Sequence, residues 1–190
     1  VQAKPTLVVG VVTTVRPVSV NFNICRAFPG SRTYHGDRKY HSFRPGGPPM
    51  IRIATTPQDI LKVMVVRGIV FIEEQGVDWS GEIDEFEDAS VHVLGEVDGE
   101  PVAAGRLRFV DDGWAKLERI AVRKRWRGRG LARQVVEFLL AETAARGVRK
   151  AKLHAQTYLE DFYASFGFVR RGEVFDECGI DHILMTREDG

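Results

Sequence analysis

Six consecutive residues, Arg125-Trp126-Arg127-Gly128-Arg129-Gly130, carry the plainest chemistry in the chain. They fit the pattern R-x-x-G-x-G, in which glycines let backbone amides approach a pyrophosphate closely. An apolar stretch with Leu117, Ile120, Ala121 and Val122 precedes them, and a helical pattern starts directly after Gly130. The order strand, glycine turn, helix leaves the first N–H groups of the helix unpaired, and the positive end of the helix dipole adds to their pull on an anion. Arg123, Lys124, Arg125, Arg127 and Arg129 offer further cationic groups around the same point. A glycine turn by itself is a weak signal; between a strand and a helix without a capping side chain it marks a site for a phosphorylated cofactor. The competing reading is a solvated basic turn that favours nucleic acid. The shortness of the turn and the acidic sequence around it argue against that.

The elements that position this turn follow from the hydrophobic pattern. Ile51–Ala54 reads as a strand, and Thr56, Pro57 and Asp59 as a helix start with a hydroxyl cap, a proline in the first turn and an early acid. Ile60, Val63, Met64, Arg67 and Phe71 then recur at helical spacing to about Glu73. From Gly76 to Ala89 the chain is acidic and irregular; Glu82 to Asp88 lacks the spacing and glycine of a calcium loop and reads as a mobile, solvated acidic lid. Val91–Val97, Pro101–Val110 and Trp114–Val122, joined at Asp98-Gly99 and Asp111-Asp112-Gly113, form an antiparallel meander. The helix after Gly130 places Leu131, Val135, Phe138 and Leu139 on one stripe and stops at Gly147. A strand at Lys150–His154, a short helix at Tyr158–Phe166 and short strands at Phe168–Val169, Val174–Phe175 and Ile183–Thr186 complete an α+β domain with a mostly antiparallel sheet.

Composition bounds the rest. With 190 residues, 44% hydrophobic and 28% charged, the chain suits one soluble domain with or without a tail, and no apolar run approaches the roughly 20 residues of a transmembrane helix. Cys25 and Cys178 stand far apart and in no C-x-x-C pattern, which points to a reduced, cytoplasmic protein. Residues 1–49 hold seven Lys/Arg against the single acid Asp37, a net of +6, whereas residues 50–190 hold 20 against 25, a net of −5. The first 49 residues, ending in Pro/Gly punctuation, therefore read as a basic, weakly ordered extension, with nucleic-acid binding and targeting as competing readings; residues 50–190 form the domain proper. Histidines and cysteines lack metal-ligand spacing, so no metal is expected.

The stretch V-R-x-x-x-R-G-R-G-L, its helix and the later D-F-Y-A-S-F-G-F at residues 161–168 resemble the GNAT superfamily of acyl-CoA-dependent N-acyltransferases, over about residues 50–187. V-F-I-E-E-Q-G-V near residue 70, His92 and D-H-I-L-M near the C-terminus are similar to an ElaA-like bacterial branch. The resemblance implies helices flanking a mixed sheet whose fourth and fifth strands splay into a slot for acetyl-CoA. Backbone groups of Ile120, Ala121 and Val122 would pair with the pantetheine arm, and amides of Arg125, Trp126, Arg127, Gly128, Arg129, Gly130 and Leu131 would hold the pyrophosphate. Tyr163 would reprotonate the departing thiolate, against the alternative of aromatic packing beside Phe162 and Phe166.

Glu118, placed by strand alternation on the face of Ile120 and Val122, would take the amine proton directly or through water, and a salt bridge to Lys116, Arg119 or Arg106 is the other reading. His182 and Glu74 would line the acceptor site, with His92 and Glu73 as further candidates; His154 carries no catalytic expectation. The implied reaction is acetyl transfer to a primary amine of a small molecule or peptide, with no membrane or nucleic-acid partner. A homodimer is compatible with the sequence, and a non-catalytic acyl-CoA sensor or scaffold is the alternative. The acceptor itself stays open among amino acids, polyamines, aminoglycosides, peptide N-termini and small amines.

Overall fold

The computed structural model describes residues 47–110 and 113–188, and the expected extension lies, up to residue 46, outside them. Strand β1 (Met50–Ile53) leads to helix α1 (Pro57–Arg67), whose start is a full capping box. Thr56 Oγ1 accepts from the Asp59 amide at 3.1 Å, and the Asp59 carboxylate accepts in return from the Thr56 amide at 3.2 Å. The helix then widens into a π-helical segment over Gly68–Glu74, a change of winding that the apolar periodicity did not reveal. Helix α2 is one turn (Trp79–Glu82).

The meander follows as β2 (Val91–Val97), β3 (Glu100–Val110) and β4 (Trp114–Val122). Asp98 and Gly99, at φ 50° and 79°, make the two-residue reversal that their D-G sequence foretold. Helix α3 (Leu131–Ala145), β5 (Lys150–Gln156), α4 (Glu160–Ala164), β6 (Val169–Glu177) and β7 (Ile180–Glu188) complete the order. The last two strands are longer than their short apolar runs suggested, because β6 is an edge strand exposed along most of its length and β7 is more exposed towards its ends, where polar residues are tolerated.

All seven strands form one sheet in the order β1-β2-β3-β4-β5-β7-β6. Every neighbouring pair is antiparallel except β4 and β5, whose parallel pairing is confined to Trp114–Lys116 against Lys150–Lys152. Beyond Lys116 and Lys152 the two strands part. One sheet face buries Leu107, Leu117, Leu153, Ile183 and Met185 against Val135 and Leu139 of α3. The other buries Leu94, Ala104 and Ala121 against Val63 and Val66 of α1 and Val70 beyond it. The expected α+β class, with helices on both faces and a splay at the middle of the sheet, is what the chain adopts. Among the described residues no helix is long and apolar enough to cross a membrane.

Candidate active site

Immediately after β4, a 3₁₀ turn at Lys124–Trp126 drops the Trp126 ring into the core, 2% exposed, next to Leu131. Gly128 and Gly130 are both left-handed, at φ 74° and 77°. A Cβ at either would meet nothing within 4 Å, so the space above the turn is open. Gly130 caps α3 with no side-chain hydrogen bond, which leaves the first amides of a fifteen-residue helix facing that space.

The arginines around the turn are engaged with other groups. Arg123 donates to Glu100 at 2.7 Å, Arg125 pairs with the same carboxylate, and the Arg129 guanidinium lies 4.9 Å from the centre of the Trp126 ring. Arg127 donates to the Val122 carbonyl at 2.9 Å and grips Glu74 through both terminal nitrogens at 2.6 and 2.8 Å. Glu74 therefore sits beside the turn with its charge committed to Arg127, which holds its carboxyl below the usual range, and it is not brought to the cleft where an acceptor was expected to meet it.

In the middle of β4 the register against β3 slips. Arg106 faces Glu118 while Ala104 faces Ala121, so three steps of β4 oppose two of β3. Arg119, at φ 53°, sits in this bulge. The extra residue reverses strand alternation. Leu117, Ile120 and Val122 pack toward α3, whereas Ala121 packs toward α1 and Glu118, next to Leu117, points that way too. Glu118 consequently does not share the face of Ile120 and Val122, and simple alternation failed because a bulge carries no apolar signature.

Glu118 belongs to a dense ion-pair cluster. Its carboxylate lies 2.8 Å from Arg106, 3.0 Å from Arg108 and 2.8 Å from Lys116. Burial pushes its pKa up, but the Lys116 contact and the charges of Arg106 and Arg108 outweigh that, and the net shift is downward. Arg106 also binds Asp84 and Glu87, each at 2.7 Å, and Arg67 binds Glu82 at 2.5 Å and Glu87 at 2.7 Å. Arg119 reaches Glu82 at 3.1 Å. The Arg106 contact holds the Asp84 carboxyl down to about 2. The stretch expected as a mobile, solvated acidic lid is thus pinned to the sheet, with Glu82 buried and only Glu85 and Asp88 among its acids fully outward. Two arginines with side chains 1% exposed, Arg67 and Arg106, explain the difference: buried cations require carboxylate partners. His92 is buried in the same cluster, 2.9 Å from the Glu87 carbonyl, and does not reach the cleft.

The gap between β4 and β5 opens into a cleft of about 370 Å³, of small-molecule size. Glu118, Ile120, Ala121, Val122, Tyr163 and His182 all line it, so the expected catalytic pair, the strand contacts and one acceptor residue are brought together. Tyr163 is 6% exposed, and burial drives its phenol well above the usual range, so the group stays protonated. Phe162 and Phe168 contact its ring edge-on at 5.0 and 6.3 Å, so the tyrosine packs and lines the cleft at once.

Among the lining residues without an assigned role are His154 and Glu177, joined Nδ1 to Oε2 at 2.7 Å. The alternation Leu153-His154-Ala155-Gln156, two residues in and two out, was the available signal for the histidine. Nothing local points to Glu177, 23 residues later. Among the described residues no group of three or more His, Cys, Asp or Glu side chains could hold a metal ion.

With this geometry in place, comparison with known proteins is decisive about family. Residues 68–188 match the model of the acetyltransferase (GNAT) domain. The chain is 38% identical to Bacillus subtilis YyaT over 73% of this chain and 95% of that one. It is 32% identical to Escherichia coli ElaA over 66% of this chain and 85% of that one. The ElaA crystal structure has a TM-score of 0.68 to it, at 27% identity, covering 74% of this chain and 100% of that one. In fold it is also similar to a GNAT acetyltransferase from Elizabethkingia anophelis with acetyl-CoA bound, with a TM-score of 0.54, 16% identity, and coverage of 74% and 97%. A sheet splayed between β4 and β5, an uncapped α3 behind a double-glycine turn, and these matches together place the chain in the GNAT family of acetyltransferases, with ElaA among its relatives.

Proposed function

We propose that this protein moves an acetyl group from acetyl-CoA to a primary amine of a small molecule or peptide by direct attack in a ternary complex. The observation that carries the reading is the continuity of one surface. Open amides at Gly128–Leu131 run into the part of β4 that β5 leaves unpaired, and Tyr163 forms the wall where a thioester lying along that strand would end. The two open left-handed glycines fit a pyrophosphate, for which bulkier residues would take both the space and the conformation. The backbone of Ile120, Ala121 and Val122 can accept the pantetheine amides as an added strand. That another GNAT structure of this fold holds acetyl-CoA supports the choice of donor.

The protonated, buried Tyr163 suits donation to the sulfur as the C–S bond breaks, with solvent restoring the proton. Glu118 is the proton acceptor that the sequence suggests. Its three cationic partners favour a role in orienting water or amine over one as a base.

Thiol release from acetyl-CoA, followed with and without spermidine, 2-phenylethylamine, kanamycin or glycylglycine, tests the reading. The expected result is amine-dependent release, with Tyr163→Phe lowering turnover roughly 100-fold at unchanged CoA affinity. CoA binding without amine-dependent release would leave a non-catalytic acyl-CoA module as the function, and full activity in Tyr163→Phe would remove the tyrosine as acid.

A further inference from the structure

The last β4–β5 pair is Lys116 with Lys152. Two residues further on, each strand returns a side chain to the same sheet face: Glu118 from β4 and His154 from β5. They form the opposing lips of the gap and both line the cleft. Their surroundings differ. Glu118 is shared by three cations, whereas among the described residues His154 pairs with one carboxylate, at Nδ1. With Nδ1–H donated to Glu177, the lone pair on Nε2 remains to accept a proton. The His154–Phe175 contact, edge-on at 4.9 Å, fixes the ring plane.

From these contacts we infer that His154 is the general base of the acetyl transfer and Glu177 its positioning residue; this rests on the acetyltransferase reading above. The amine nitrogen attacks the thioester carbonyl carbon, a C–N bond forms, and His154 Nε2 takes one N–H proton. The C–S bond breaks with its electron pair going to sulfur, and the Tyr163 hydroxyl protonates that sulfur. Amine and acetyl thioester become amide and free thiol. The imidazolium and phenolate left behind are reset by proton exchange with solvent. Glu177 holds the Nδ1 side of the ring at 2.7 Å and so orients Nε2. His154 in turn, through its hydrogen bond, is the largest influence holding the Glu177 carboxyl below its usual range, so the carboxylate is present when the proton arrives.

The other histidine in the cleft is the natural rival. His182 also has a fixed ring, stacked 6.1 Å from Phe175, and its Nδ1 donates to the Ile180 carbonyl at 2.8 Å. A neutral carbonyl fixes the tautomer but gives the imidazolium less than a carboxylate does. His182 also lies on β7, one strand farther from the gap than His154. The charged and titratable groups nearest the base include Glu177 from β6, His182 from β7, and Lys116 and Glu118 from β4, while Glu82, Arg119, Arg127, Tyr158, Tyr163 and Cys178 line the same cleft.

The test uses the full chain with acetyl-CoA and the four amines named above, read as acetylated amine. His154→Gln is expected to lose on the order of 100-fold or more in turnover while CoA affinity by calorimetry stays within threefold of the parent. Imidazole added to His154→Ala should restore part of the lost rate. Glu177→Gln should lose on the order of 10-fold and move the acidic limb of the pH–rate profile, with His182→Gln changing that limb little. His154→Gln with turnover within threefold of the parent would overturn the proposal. So would a loss that imidazole fails to rescue while the pH profile keeps its shape. A parent that binds CoA but acetylates none of the amines removes the acetyltransferase reading and the base with it. An active parent with active His154 variants removes only the base.

Discussion

On the side of the cleft proposed for the cofactor, the candidate groups are backbone amides at Gly128–Leu131, set by residues adjacent in sequence. On the acceptor side they are side chains delivered by α1, the segment around α2 and the strands β3, β4, β5, β6 and β7, many of them held by contacts distant in sequence, such as Arg106 to Asp84, 22 residues apart, and Arg119 to the Gly81 carbonyl, 38 apart. The contrast separates two ways of making a site. Amides at a helix start bind an anion because of where the chain turns, and tolerate much change in side chains. A buried charge cluster binds nothing by itself; it fixes the shape of a wall, and each member is costly to remove because its partners are left unpaired.

The largest expected effect breaks the acceptor wall alone. Arg106→Ala takes the shared cation from Asp84, Glu87 and Glu118 at once, leaves a buried gap in the cluster, and should cost roughly 3–5 kcal/mol of stability, measured by denaturant unfolding at neutral pH. The cluster also sets an acid limit. Asp84 titrates at about 2 in the folded chain, against about 3.9 when unfolded. Its contribution is therefore fully present above pH ~4 and lost as pH falls toward 2. Glu87 and Glu118, also lowered, act in the same direction. Melting temperature should drop between pH 4 and 3 in the parent and drop less in Arg106→Ala. CoA affinity at neutral pH and moderate temperature should survive the substitution; if it collapses with stability, the two walls are one structural unit and the contrast fails.

This division also accounts for what could be read from the sequence. The glycine turn, the uncapped helix and the meander are local patterns, and the chain places each where its pattern implied; Tyr163, singled out through the family resemblance, lines the cleft. The β4 bulge is not a local pattern. Arg119 resembles any strand arginine until its φ of 53° is seen, and one unpaired residue moved Glu118 to the other face from Ile120 and Val122. The buried state of Arg67 was equally hidden. It continued an apolar stripe as an oddity, and only its contacts with Glu82 and Glu87, 15 and 20 residues on, show that the acidic stretch exists to neutralise it and Arg106. His154 and Glu177 fall in the same class, because which residues meet across β5 and β6 depends on the strand order rather than on spacing.

A second substitution attacks the cofactor wall. Gly105 and Gly128 are both glycines near α3, but for different reasons. A Cβ at Gly105 would press on Val135 at 2.9 Å, a packing demand, whereas at Gly128 there is space and only the left-handed φ of 74° excludes other residues. Gly128→Val forces a β-branched residue into that conformation, at about 1–3 kcal/mol, or opens the turn, and its side chain projects into the cradle. CoA affinity by calorimetry should fall on the order of 100-fold, with the acceptor wall intact. Unchanged affinity would refute the pyrophosphate turn.

The smallest effect lies where the two walls meet. Glu74 neutralises Arg127 beside the turn, through an ion pair whose side chains are 44% and 28% exposed for Arg127 and Glu74. An exposed pair of this kind contributes roughly 0–1 kcal/mol, so Glu74→Gln should leave the melting temperature almost unchanged. Its effect on CoA is opposite in sign to that of Gly128→Val. Glu74 places a carboxylate next to the site expected to hold two phosphates, and it occupies a guanidinium that could otherwise face them. Removing that charge should tighten CoA binding a few-fold at low salt, and the gain should shrink as ionic strength rises and screens the repulsion. Tighter binding that salt does not diminish would place the effect in the conformation of the turn. Weaker binding would mean that Glu74 holds Arg127 in the pose CoA requires, and would make this carboxylate part of the cofactor wall.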